Sequence, residues 1–205
     1  MADGNFTRLL CKHRVALCGL LRVPLAAYSE CSFMSNTRLP SSIFLVLVLV
    51  GALQCGYYAP RLPEIVASHF GVAGVANGWQ TKGAFFAVEL AVILLATVVS
   101  FGVPRMIEAM PVSFINLPHK EFWLGPERRE DTLSYLRAWS ASFGCGLLAF
   151  LLFVMELAYR ANLRTPPQFN NAAFVPALLA FVIFDTVALV WLILHFFRPL
   201  KFYPK

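Results

Sequence analysis

Charge is what this sequence has least of. Only 14% of its 205 residues are Asp, Glu, Lys or Arg, while 59% are hydrophobic. Soluble domains run nearer about 25% charged and about 45–50% apolar, so a water-soluble globular fold is excluded. Recognisable chemistry is scarce too. No phosphate-cradling P-loop, no H-E-x-x-H, no G-x-S-x-G and no dinucleotide fingerprint occurs. Five cysteines (Cys11, Cys18, Cys31, Cys55 and Cys145) form no C-x-x-C pair, so they read as free thiols. His69 with Glu64 five residues earlier falls short of the three ligands a metal centre needs. The expectation is a non-enzymatic chain with no cofactor and no metal. Alternating segments of about 10 residues, as in a membrane barrel, are missing. So are the inverted repeats and broken helices of a transporter.

What is present is a set of four apolar blocks: about 42–58, 84–103, 139–159 and 173–197. About 20 residues at roughly 1.5 Å each cross the hydrocarbon layer, and a spanning segment must satisfy its own backbone. The reading is an all-α membrane protein, a four-helix transmembrane bundle occupying 42–205 behind a tail at 1–41. Tyr57, Tyr58, Trp139 and Tyr159 mark the block ends, where half-polar rings favour the interface. Pro60 is expected to stop the first helix and Pro104 the second. Gly144 and Gly146, with Ser140 and Ser142, offer a small-residue face suited to packing within the bundle. His195, near the end of the fourth block, is read as facing headgroups.

Orientation follows from the basic residues. Thirteen of the 17 Lys and Arg fall in the N-terminal tail, the middle loop and the C-terminal tail, and four in the loops at 59–83 and 160–172. The positive-inside rule then places both termini in the cytoplasm (N-in, C-in) and the loop 59–83 outside. The net charge of +6 is thus a topological signal, and no nucleic-acid partner is expected.

Residues 1–33 are cationic and interrupted by Lys12, His13, Arg14 and Arg22, too charged for a fifth span or a signal peptide. Two readings stand: a segment lying on the inner leaflet, or an artefact of the start codon, with Met34 as the natural first residue.

The outward loop holds the densest pattern. Pro63, Gly71, Gly74 and Gly78 suggest a compact irregular loop, with Asn77-Gly78 as a turn. Phe70 and Trp79 are placed to anchor it on the bilayer. Leu62, Pro63, His69, Phe70, Gly74, Gly78, Trp79 and Lys82 together resemble the bacterial membrane family called domain of unknown function 1648. The resemblance covers about the first two spans. The run Ile115 to Trp123 also resembles a stretch of a four-span subgroup. The family's best-known relatives are SdpI-type proteins, which protect a bacterium from its own secreted peptide toxin and join in signalling. They carry additional spans. What the resemblance implies is a multi-pass protein of a bacterial inner (plasma) membrane with a sensing, binding or immunity role.

Acids inside a membrane are costly and need a reason. Gln54, Glu89 and Glu156 each lie three to five residues from the outward end of their block, and so share a layer beneath the loop. One reading is a pocket lined by these three with His69, Trp79 and Lys82 above it, for a cation, a peptide or a lipid headgroup. The other is structural: Glu156 pairs with Arg160 at i,i+4, and Glu89 accepts from Lys82, Trp79 or loop amides. Asp185 lies near mid-depth and suits either a neutral packing role or an ion relay. The function expected is therefore a membrane module that binds, senses or neutralises something from outside. A small ion- or proton-coupled channel, transporter or accessory subunit is the alternative. Besides the bilayer, a second copy or a membrane partner is a possible associate.

In the middle loop, Phe122 and Trp123 are read as dipping into the interface. A helix is expected from Pro126, with Glu127, Glu130 and Asp131 in its early turns, running through Arg137 into the third span.

Overall fold

The structure, a computed structural model, describes residues 37–197. The readings of the N-terminal tail and of Arg198, Lys201 and Lys205 fall outside the described residues. The chain runs α1 (Arg38–Tyr58), β1 (Ile65–Phe70), β2 (Ala76–Thr81), α2 (Lys82–Thr97), a π-helical turn (Val98–Gly102), α3 (Val103–Ala109), a 3-10 turn (Val112–Phe114), α4 (Lys120–Trp123), α5 (Arg129–Asn162) and α6 (Asn171–Phe197). Four helices are long and apolar enough to cross a membrane: Arg38–Tyr58, Lys82–Ala109, Arg129–Asn162 and Asn171–Phe197. The chain is thus a multi-pass membrane protein.

α5 is the central post, packing against α1, α2 and α6. α6 rests chiefly on α5. Its most apolar window has a mean hydropathy of 2.6, and none of its residues is fully buried in the protein. A surface that apolar is stable only where lipid covers it.

Pro104 does not end the second span. It removes one backbone donor, and the helix answers by widening a turn just before it. The Val103 N–H reaches the Val98 carbonyl, five residues back, and the helix then continues to Ala109. Ser100 sits in that wide turn and donates to the Ala96 carbonyl at 2.6 Å. Gly144 of α5 packs directly on it: a Cβ at Gly144 would collide with the Ser100 hydroxyl and lie 3.4 Å from the Phe44 ring. A Cβ at Gly146 would likewise collide with the Phe184 ring of α6. The small-residue face therefore packs inside the bundle, split between two neighbours.

The loop at 59–83 is not irregular. β1 and β2 pair antiparallel, with Ile65 opposite Thr81 and Phe70 opposite Ala76. The β-branched start of β1 favours this pairing. Its turn lies at Gly71–Val75, where Gly74 has φ +77°. Asn77 and Gly78 are inside β2 instead. Gly78 is there for space, since a Cβ would stand 2.8 Å from the His69 Cβ across the pair.

At the opposite end the middle loop folds back under the bundle. The helix expected from Pro126 begins at Arg129, so Glu127 precedes it, while Glu130 and Asp131 occupy its first turn. It then runs unbroken through Arg137. Trp123 is buried rather than interfacial: its indole N–H donates to the Phe196 carbonyl at 3.2 Å, and its own carbonyl accepts from the Thr132 hydroxyl at 2.8 Å. His195, half-buried, stacks on Tyr135 at 4.0 Å.

Candidate functional site

A polar layer forms where helix periodicity turns six side chains toward one another. Gln54, Cys55 and Tyr58 come from the last turn of α1, Glu89 from α2, and Glu156 and Tyr159, three residues apart, from one face of α5. Gln54 Nε2 donates to Glu156 Oε2 at 3.0 Å, and the Tyr58 hydroxyl to Glu156 Oε1 at 2.8 Å. Arg160 Nε completes that carboxylate at 2.7 Å, the expected i,i+4 pair. Glu89 is 1% exposed; its Oε2 accepts from the Tyr159 hydroxyl and from the Cys55 thiol at 3.0 Å. The two halves are joined by the Tyr58 and Tyr159 rings, stacked 4.4 Å apart. Glu89 Oε1 and Gln54 Oε1 are buried without a hydrogen-bond partner.

Glu89 does not reach the donors expected for it. It lies seven residues past Lys82, about 10 Å deeper along the helix. Lys82 Nζ instead holds Glu64 at 2.9 Å and the Leu62 carbonyl at 3.4 Å, and Trp79 lies on the exposed side of the hairpin. Nor is His69 a lid on the acids. Its Nδ1 is 2.5 Å from Asn77 Oδ1 on the neighbouring strand, and the ring faces a different space. Asp185, partly buried on α6, is not brought into the layer, and no hydrogen bond or ion pair holds it among the described residues. No group of three His, Cys, Asp or Glu suited to a metal gathers among the described residues.

The hairpin is locked from below and from the side. Asn162, buried at the end of α5, accepts from the Ala67 N–H at 2.6 Å and donates to the Ala67 carbonyl at 2.9 Å. At the tip, the Phe169 N–H donates to the Gly74 carbonyl at 2.9 Å, Gln168 to the Ala73 carbonyl at 2.8 Å, and Asn171 to the Val72 carbonyl at 2.6 Å. The α5–α6 connection thus binds the turn almost as a third strand. Between these two anchors the hairpin roofs a cavity of about 540 Å³. α5 forms its floor through Met155 and Ala158, α2 one wall through Phe85 and Val88, and α6 the other through Phe174 and Val175. The roof carries most of the polar groups, Ser68, His69 and Gln80, and Asn171 at the start of α6 adds one more. Met155 and Ala158 lie on the face of α5 next to the one bearing Glu156 and Tyr159, so the helix separates cavity from polar layer.

With this geometry in hand, comparison with known families is informative. The family model described as a domain of unknown function (DUF1648) matches residues 44–100. The chain carries a DUF1648 domain. No curated protein and no solved structure matches it. The DUF1648 segment takes in most of α1, the hairpin and all of α2, ending at Ser100. It therefore contributes Gln54, Cys55, His69 and Glu89, whereas Glu156, Tyr159 and Asn162 come from beyond it. α5 and α6 complete what the DUF1648 domain begins, on both the polar and the apolar side. Asn162, Phe169 and Met155 carry no signal in the sequence that sets them apart. Tyr159 had been assigned to the interface by ring type alone; its spacing of three from Glu156 was the available signal.

Proposed function

We propose that the chain is a non-enzymatic binding module of a bacterial plasma membrane, oriented N-in and C-in, which receives a small, largely apolar ligand beneath its outward hairpin. The cavity of about 540 Å³ carries this reading, because it has an apolar body, a polar roof and a volume within the roughly 300–1,000 Å³ of small-molecule sites. Gln54, Glu89 and Glu156 act as the anchor of that end: the hydrogen bonds they make run among α1, α2 and α5. A role in sensing or immunity follows from capture of an amphiphilic agent as it arrives from outside. The SdpI-type resemblance points the same way.

The test is binding of an uncharged hydrophobic fluorophore, N-phenyl-1-naphthylamine, to the purified chain in lipid nanodiscs. Val88→Trp and Val175→Trp fill the cavity from opposite walls, and each is expected to weaken binding at least about tenfold while leaving the thermal unfolding profile intact. Undiminished binding by both folded variants rejects the cavity reading. The transport alternative draws on Asp185, an acid held by no hydrogen bond or ion pair among the described residues. Proton or cation flux through liposomes carrying the wild type, lost in Asp185→Asn, would replace binding with transport.

A further inference from the structure

The layout of the cavity says more than that it is apolar. Its walls and floor come from Phe, Val, Met and Ala side chains, with Asn171 at the rim turned to the Val72 carbonyl, and no Lys, Arg, Asp or Glu lines it. Two cations at this end of the bundle are engaged elsewhere, Lys82 with Glu64 at 2.9 Å and Arg160 with Glu156 at 2.7 Å. A carboxylate or phosphate drawn under the roof would gain no counter-charge for the hydration it gives up on entering, which is unfavourable.

The roof nevertheless has hydrogen-bonding capacity to spare, and the His69 pairing gives it a direction. Asn77 Oδ1 is an acceptor without a proton, so the hydrogen of that 2.5 Å contact is on His69 Nδ1. In the neutral ring, Nε2 then keeps its lone pair and accepts. Neither His69 Nε2 nor the side chains of Ser68 and Gln80 make a hydrogen bond among the described residues. The matching ligand group is a donor that also accepts: a hydroxyl, or better a diol.

Access has a direction as well. α6 packs chiefly on α5 and makes no comparable contact with α2, although the two helices supply facing walls of the cavity. The gap between them opens toward the lipid. A molecule already dissolved in the bilayer can slide in sideways, with its head at the level of the hairpin and its tail between the helices. A volume of about 540 Å³ holds one alkyl chain and not the pair of a diacyl lipid.

Resting on the cavity reading above, we propose that the ligand is a single-chain amphiphile with an uncharged, hydroxyl-bearing head, oriented by His69 Nε2 at the roof. The experiment displaces N-phenyl-1-naphthylamine from the full chain in nanodiscs with monoolein, with oleate and with an apolar peptide of similar length. Monoolein is expected to compete at a concentration about tenfold below oleate, the size of one or two directed hydrogen bonds. His69→Phe is expected to bind the fluorophore as before and to lose the preference for monoolein over oleate. His69→Gln, which retains an acceptor, is expected to keep part of it. Equal or better competition by oleate or by the peptide overturns the head-group assignment while the cavity reading stands. So does an unchanged preference in His69→Phe. Fluorophore binding that survives both Val88→Trp and Val175→Trp removes the cavity itself.

Discussion

At Asn162 a side chain takes the place of a neighbouring strand. Its amide pairs with both backbone groups of Ala67, which would otherwise be buried with nothing to bind. An orphaned buried donor or acceptor costs about 1–3 kcal/mol, more than the bond itself contributes when made. Asn162→Ala is therefore expected to destabilise the hairpin end by about that much. Amide exchange at Ala67 should rise sharply, while exchange in the middle of α5 stays slow; equal protection at Ala67 in mutant and wild type would refute the anchor. The same asymmetry accounts for the two acids. Glu156 has three donors, one of them cationic, whereas Glu89 has two neutral ones and an open oxygen. Residue type alone did not separate them.

Among the elements, the second span is the most instructive. A proline in a helix interior is ordinarily read as a stop. Here the π-helical turn at Val98–Gly102 absorbs the missing bond and brings Ser100 against α5, where Gly144 leaves room for it. Gly144→Val is expected to push the helices apart and cost about 1–3 kcal/mol, as overpacking does in other close contacts. Gly56→Ala is the internal control. That glycine has open space around its missing Cβ, and the exchange is expected to be neutral within about 0.5 kcal/mol. Unfolding of both variants in mild detergent, followed by circular dichroism, makes the comparison; matching losses would mean that the close approach at Ser100 is not limiting. The β-hairpin is the other element worth weighing. Six-residue strands are short, and an isolated hairpin is marginal in water. This one persists because Asn162, Gln168 and Asn171 take up its free edges.

For the whole molecule, topology is the property that any binding role depends on. The hairpin and the buried Trp123 lie at opposite ends of the bundle, joined by the full length of α5. In the orientation proposed above, with both termini inside, a cysteine at Val72, fully exposed at the hairpin tip, is expected to react with a membrane-impermeant maleimide on intact cells. A cysteine at the exposed Glu127 is expected to react only after permeabilisation. The reverse pattern would invert the protein and put the cavity on the cytoplasmic side.

Composition and hydropathy determined the four spans, their order and their approximate limits, because a spanning helix has to meet the bilayer residue by residue along its own length. The i,i+4 pair of Glu156 with Arg160 was legible for the same reason, being local to one helix. The DUF1648 pattern in the loop was legible too, as spacing of residue types. What only the tertiary structure decided was which side of each helix faces which neighbour. That choice put Tyr159 on Glu89, turned His69 toward a cavity instead of the acids, and closed the cavity with residues of α6 about 90 positions away from those of α2. Such contacts depend on three helices meeting at once, and no periodicity within a single segment encodes the angle at which its neighbours arrive.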